Sequence, residues 1–175
     1  LNSLSSLIAD EPEQAEIFVD EMAKVYRYLL QTNAEGDLTS LSTELQFIES
    51  YFHLLKTRYR NGIHLKINLP EDYLTLAIPP LTLQLLIENA VKHNVIVASR
   101  PLRLEITGLD GKMIQVRNNL QRKTTRVVSN QIGLNNIMAK YQLLTPIKPV
   151  ISDDDGYFTV VLPLLEVTKN ERTHC

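Results

Sequence analysis

The chain has 175 residues, with 18 basic side chains against 20 acidic ones and a hydrophobic content of 44%. This length fits one domain with an appended helical element, and the apolar fraction is sufficient for a core. The formal net charge of -2 excludes a global basic field for nucleic acid, and a lone cysteine, Cys175, excludes an internal disulfide framework.

Helical periodicity dominates the first sixty residues. Leu4, Leu7 and Ile8 predict a helix already under way at residue 1. Asp10 followed by Pro12 predicts the start of a second helix. The apolar residues that form one side of this helix recur at steps of three and four: Ala15, Phe18, Met22, Val25 and Leu29.

A third helix is predicted from Ser42 or Thr43, where Thr43 and Gln46 match a capping box. Asn61 and Gly62 predict its end. The apolar positions again keep the helical spacing: Leu45, Ile48, Phe52, Leu55 and Tyr59.

Strands enter the pattern after residue 62. Alternating apolar residues predict strands over 64–69, 102–107 and 113–116, and two more near the C-terminus that flank a turn at 153–156. Helices are predicted after Pro79-Pro80 and after Gly133, and a long polar loop over 117–131. This order predicts an α/β fold, a two-layer sandwich of a mixed, largely antiparallel sheet backed by helices. Amphipathic helices precede it.

One predicted helix carries two neighbouring rows of polar side chains. Glu88 and Lys92 are four residues apart, as are Asn89 and His93. One interpretation is a solvated face with an ion pair between Glu88 and Lys92. The other is the wall of a polar pocket, in which an Asn oxygen completes the shell of a hard cation and a carboxylate orients or deprotonates a nucleophile.

Other polar positions also allow two interpretations. Asn118-Asn119 is either a simple turn or a binding position at a strand end. Gly133 is either a turn glycine or a point where backbone N–H groups approach a phosphate. Basic residues of the long loop, including Arg122 and Lys123, are either solvated or in contact with phosphates.

Several chemistries lack a motif in this sequence. There is no G-x-G-x-x-G, no P-loop and no G-x-S-x-G. The four histidines have no metal-ligand spacing, and His53, one turn after Glu49, is interpreted as a surface residue.

Three segments carry a family resemblance. Residues 78–93 read I-P-P-L-T-L-Q-L-L-I-E-N-A-V-K-H and depart only at Leu85 from the pattern I-P-P-[LM]-x-[LI]-Q-P-L-[VI]-E-N-A-[IV]-K-H. Residues 44–58 resemble E-[LI]-x-x-I-x-x-Y-[LI]-x-[IL]-x-x-x-R, and Leu1-Asn2 resembles the close of H-F-[LI]-F-N-[ST]-L-N-x-L. With Gly133-Leu134-Asn135-Asn136-Ile137 following in order, the chain resembles the catalytic part of LytS-type sensor histidine kinases.

The resemblance implies a Bergerat-type (GHKL) ATP-binding domain with ATP and Mg²⁺ as cofactors. Glu88 is then the candidate catalytic carboxylate, and Asn89 holds the Mg²⁺ that bridges the phosphates. Residues 119–131 form a lid over the nucleotide. The implied nucleotide-binding residues are Asn89, Lys92, His93, Asn118, Gly133 and Leu134.

The sequence also departs from the family where adenine is read. Asn118 stands in place of the Asp of D-x-G-x-G, Leu120 in place of its first glycine, and Gln131 in place of the first glycine of a later G-x-G. Two hypotheses therefore stay open. One is an active kinase domain, and the other is a nucleotide-blind dimer module that relays a signal.

The resemblance further implies an organisation and partners. Residues 1–60 are expected to be the remnant of a dimerisation and phosphoacceptor region, 61–165 the ATP-binding domain, and 166–175 a frayed tail. The expected phosphoacceptor His lies six positions before Leu1, in a longer parent chain. The expected partners are a second copy in a homodimer and a response regulator, with no nucleic acid. The expected location is the cytoplasmic side of an inner-membrane protein that is anchored by upstream segments.

Overall fold

The computed structural model describes residues 8–32, 38–123 and 132–166. The helices are α1 (Pro12–Thr32), α2 (Leu41–Tyr59), α3 (Thr82–His93) and α4 (Ile132–Leu144). The strands are β1 (Thr39–Ser40), β2 (Ile63–Asn68), β3 (Ala77–Ile78), β4 (Leu102–Leu109), β5 (Met113–Asn119), β6 (Val150–Asp154) and β7 (Tyr157–Pro163).

The main sheet has five strands in the order β2-β4-β5-β7-β6. The outer strand β2 runs parallel to β4, with α3 in the connection between them, and the other neighbours are antiparallel. Alternate residues of the central strands are buried beneath the helices: Leu102, Leu104, Ile106, Ile114 and Val116. The predicted fold class, a two-layer sandwich with a mixed sheet, is confirmed.

A second, two-stranded sheet joins the starts of two helices. Thr39 pairs with Ile78 and Ser40 with Ala77, so β1 and β3 lie side by side. Because α2 begins directly after β1 and α3 begins four residues after β3, this pairing sets the two helix starts next to each other.

The start of α2 differs from the predicted capping box. The helix begins at Leu41, and its N-cap is Ser40, whose Oγ accepts a hydrogen bond from the backbone N–H of Thr43 at 3.1 Å. Thr43 is therefore the third helical residue rather than the cap. The β1 pairing moves the boundary, because it holds Ser40 in the extended conformation that an N-cap requires.

The predicted loop over 117–131 was wrong at its start. Strand β5 continues to Asn119, since its pairing with β7 extends from Met113 to Asn119. Gly133 lies in the first turn of α4 rather than before it. The lid residues 124–131, the predicted helix before residue 8, and the tail beyond Glu166 lie outside the described residues.

Within the described ranges 8–32, 38–123 and 132–166, no helix has the length and apolarity to cross a membrane. No cluster of three or more His, Cys, Asp or Glu side chains arranged for metal binding occurs in those ranges either.

Candidate functional site

Helix α3 is the element around which the predicted site residues gather. Its N-cap residue, Leu81, has a left-handed backbone (φ 65°) and no side chain of its own helix caps it. The cap comes instead from α2, where the Glu44 carboxylate accepts the backbone N–H of Leu81 at 3.1 Å and that of Leu83 at 3.0 Å. A negative charge at this end also complements the helix dipole.

Glu44 is fully buried. It also accepts a hydrogen bond from the hydroxyl of Tyr28 in α1. Burial raises the pKa of the Glu44 carboxyl above its ordinary value, and the hydrogen bonds from Tyr28, Leu81 and Leu83 act in the opposite direction. Sequence patterns did not identify Glu44 as part of the site, although one signal was present. Glu44 falls in a buried helical stripe beside Leu41, Leu45 and Ile48.

Glu88 lies on the exposed side of α3, and its carboxylate is held by neighbours. Its Oε1 accepts hydrogen bonds from Gln84 Nε2 at 2.8 Å and from the Tyr51 hydroxyl at 3.4 Å. Burial, followed by the charge of Glu88, raises the pKa of the Tyr51 hydroxyl, which stays protonated as a donor. The Glu88–Lys92 ion pair, which belonged to the solvated-face interpretation, is not among those formed by the described residues.

The carboxyl end of α3 is tied to the chain that follows β5. Asn94 accepts the N–H of Gln121 through Oδ1 at 2.6 Å and donates through Nδ2 to the Ala90 carbonyl at 2.8 Å. Lys123 donates its ammonium protons to the carbonyls of Val91 at 3.2 Å and Lys92 at 2.9 Å. A cation at a helix C-terminus is favoured by the helix dipole, so Lys123 is not simply solvated.

Asn118 lies at the same end of the sheet. It is a buried strand residue, 4% exposed, between Leu104 of β4 and Phe158 of β7, so the interpretation as a simple turn was wrong. Its Nδ2 donates to the Asn119 carbonyl at 2.8 Å, which fixes the amide orientation. Gln121, three residues later, is bonded to α3 through Asn94. The fold therefore brings Asn118 toward the carboxyl half of α3.

Gly133 and Leu134 lie in the first turn of α4, alongside the amino half of α3. A Cβ built on Gly133 would lie 3.6 Å from Leu85 Cδ2. Further along α4, Lys140 donates to the Pro80 carbonyl at 3.4 Å. Leu85, the one departure from the family pattern in residues 78–93, is thus the residue of α3 that faces Gly133.

The basic groups of the site lie near the end of α3. Lys92 is exposed and the His93 side chain is half-buried. Burial first, and then the charges of Lys92 and Lys123, lower the pKa of the His93 imidazole. The His93 imidazole is therefore harder to protonate than an unperturbed imidazole, and Lys92 and Lys123 are the charges that act on it.

This fold is that of the catalytic domains of histidine kinases. The chain superposes on histidine kinase AdeS of Acinetobacter baumannii with a TM-score of 0.53 at 11% identity, over 94% of this chain and 84% of that one. It superposes on the catalytic domain of histidine kinase ThkA with a TM-score of 0.53 at 12% identity, over 75% of this chain and 99% of that one. At 11% and 12% identity, the structural likeness shows a shared fold and nothing more.

The amino-acid sequence is also similar to histidine kinases. Residues 1–63 match the sequence profile of the family described as Histidine kinase. The chain is also 31% identical over 93 residues to the sensor histidine kinase/phosphatase LytS of Staphylococcus aureus strains MRSA252 and Mu50. That alignment covers 53% of this chain and 16% of LytS, so the chain spans a small part of the relatives it matches. The resemblance to LytS-type sensor histidine kinases is confirmed.

Proposed function

We propose that this chain is the ATP-binding catalytic domain of a sensor histidine kinase and transfers the ATP γ-phosphate to a His outside residues 1–175. The observation that supports it best is the arrangement around α3. Glu88 and Asn89 lie on its polar side, Asn118 lies toward its carboxyl half, and Gly133 lies toward its amino half.

In this proposal Asn89 is the protein ligand of Mg²⁺. One amide oxygen suits an ion that arrives with phosphate oxygens and keeps several waters. When bound, the ion would neutralise the charge that develops on the phosphates. Asn89 is half-buried on α3, and Lys92 and His93, one turn later, would meet the same phosphates.

Glu88 would act on the nucleophile. As the N–P bond forms, the bond between the γ-phosphorus and the bridging oxygen breaks and ADP leaves. A carboxylate that accepts the N–H of the acceptor imidazole orients the ring and takes up the proton that the ring loses. The hydrogen bonds from Gln84 and Tyr51 to Glu88 keep this carboxylate in one place.

Asn118 would read adenine. Its Nδ2 is engaged by the Asn119 carbonyl, which leaves Oδ1 as the atom to accept the exocyclic amino group. A neutral amide is a weaker acceptor than the carboxylate usual in the family, so we expect modest affinity for ATP.

The remaining parts of the proposal concern the whole protein. Residues 1–60 would belong to the dimerisation and phosphoacceptor region and 61–165 to the ATP-binding domain. The protein would work as a homodimer, pass the phosphoryl group to a response regulator, and place this domain in the cytoplasm beneath an inner-membrane anchor. The LytS relatives, which are named as sensor kinases, support this organisation.

Calorimetric titration with a non-hydrolysable ATP analogue tests the proposal. We expect saturable binding that requires Mg²⁺ and weakens when EDTA is added. The absence of binding at millimolar analogue, with the protein shown to be folded by circular dichroism, would contradict the kinase proposal and favour the nucleotide-blind relay module.

Nucleotide affinity should depend on pH through His93. In the protein without nucleotide, the pKa of the His93 imidazole is lowered below its ordinary value of 6.5. A bound polyphosphate would raise this pKa. Binding therefore takes up a proton between the two pKa values, and affinity should fall as pH rises through the pKa of the bound state. We expect about a threefold loss between pH 6 and pH 8.

Isothermal titration in two buffers of different ionisation enthalpy measures this proton uptake. His93→Gln should remove it, while His64→Gln, an exposed histidine on β2, should leave it unchanged. Equal proton uptake in His93→Gln and the unsubstituted protein would show that His93 does not face the phosphates.

A further inference from the structure

The Glu44 carboxylate joins three helices at one buried point. Oε2 accepts from the Tyr28 hydroxyl of α1 and from the Leu81 N–H at 3.1 Å, while Oε1 accepts from the Leu83 N–H at 3.0 Å. Glu44 belongs to α2, whereas Leu81 and Leu83 form the start of α3. A single side chain therefore holds the first turn of α3 and also contacts α1.

The first turn of α3 depends on this carboxylate. Backbone N–H groups at a helix start have no partner within the helix, and burying them without an acceptor is costly. Leu81 also adopts a left-handed backbone at φ 65°, which a leucine adopts only when its surroundings stabilise it. Leu81 has no cap from its own helix, so Glu44 supplies the stabilising acceptor.

Tyr28 contacts the same region in a second way. Its ring stacks on Phe47 of α2 with centroids 4.3 Å apart, and Phe47 stacks on Tyr51 at 6.1 Å. The Tyr51 hydroxyl reaches Glu88 at 3.4 Å. The start of α3 is thus connected to Tyr28 through Glu44, and the middle of its polar side through the aromatic rings and Glu88.

We propose that Tyr28 and Glu44 are positioning residues of the nucleotide site, through which the placement of α1 sets the conformation of the first turn of α3. This inference rests on the proposed function, because α3 carries Glu88 and Asn89. When α1 moves and the Tyr28 hydroxyl leaves Glu44, the carboxylate loses one of its donors and its hold on Leu81 changes. The position of Asn89, two turns further along, changes with it.

Tyr28→Phe is the variant that tests this proposal, because it removes the hydroxyl and keeps the ring that stacks on Phe47. The matched control is Tyr26→Phe, a tyrosine of the same helix that is 60% exposed. Ile114→Val, in the core strand β5, serves as a second control that lowers stability without removing a hydrogen bond of Glu44.

Two readouts are measured on each variant. Amide hydrogen exchange by NMR reports the first turn of α3, and we expect the Leu81 and Leu83 amides to exchange about tenfold faster in Tyr28→Phe than in Tyr26→Phe. Calorimetry with the Mg²⁺-bound ATP analogue should show about a fivefold higher Kd in Tyr28→Phe, with no change in Ile114→Val.

A double-variant cycle with Glu44→Gln completes the test. If Tyr28 acts through Glu44, adding Tyr28→Phe to Glu44→Gln should raise Kd by much less than fivefold. Additive effects, or amide exchange in Tyr28→Phe equal to that in Tyr26→Phe, would overturn the proposal. If the unsubstituted protein binds no nucleotide, the proposed function fails, and the exchange rates of Leu81 and Leu83 still decide whether Tyr28 positions α3.

Discussion

Asn89→Ala is expected to weaken Mg²⁺-dependent binding of an ATP analogue on the order of 100-fold, because it removes the proposed protein ligand of the ion. The ion would still arrive with the phosphates, but it would have no fixed point on α3. Asn89 is half-buried within a helix whose two ends are held by Glu44 and Lys123. A large effect at this position therefore reflects the ligand rather than a rearranged helix.

A second ligand separates the metal site from the adenine site. Mg²⁺-bound tripolyphosphate carries the phosphates without the base. Asn89→Ala should weaken both ligands, whereas Asn118→Leu should weaken only the nucleotide, by about tenfold for one lost hydrogen bond that leaves the adenine amino group unpaired. Asn68→Ala, at the exposed end of β2, should change neither.

Two results would contradict this assignment. Unchanged tripolyphosphate binding in Asn89→Ala would place the metal elsewhere. An equal loss of both ligands in Asn118→Leu would mean that Asn118 supports the sheet end rather than reading the base.

Glu44→Ala should lower the free energy of unfolding by about 3 kcal/mol. The substitution leaves the Leu81 and Leu83 N–H groups and the Tyr28 hydroxyl without their buried acceptor. Burial raises the pKa of the Glu44 carboxyl because desolvation disfavours its charged form. The loss of three hydrogen bonds should exceed the relief of that desolvation, since each orphaned donor costs about 1–3 kcal/mol.

Urea denaturation followed by circular dichroism measures this loss. Glu49→Ala is the matched control, because Glu49 lies on the same helix and is exposed. Its effect should stay within about 0.5 kcal/mol. A Glu44→Ala protein as stable as the Glu49→Ala protein would show that water replaces the carboxylate at the start of α3.

The sequence predicted the site helix because its signals are local. Glu88, Asn89, Lys92 and His93 fall within six consecutive residues, and their separation from the apolar face follows from helical spacing alone. The positions of the five strands of the main sheet along the chain were also predicted, since alternation and turn residues are read within each segment.

Glu44 could not be predicted as a capping residue by the same means. Its partners lie 16 residues before it at Tyr28 and 37 residues after it at Leu81, so only the packing of three helices reveals them. Ser40 was missed as the N-cap of α2 for a similar reason, because the pairing of β1 with the distant β3 decides where that helix begins. The sequence left Asn118 open between a simple turn and a binding position at a strand end because the residue type favours turns, whereas pairing with β4 and β7 keeps it in a strand.

The small sheet of β1 and β3 has a mechanical consequence. The pairing of Thr39 with Ile78 and of Ser40 with Ala77 holds the starts of α2 and α3 together as one unit. Helix α1 ends before this unit. A movement of either helix start would therefore displace the other. Chimaeras that graft a foreign sensor helix onto this domain should keep residues 39–41 and 77–83 together as one unit and vary the sequence upstream of Tyr28.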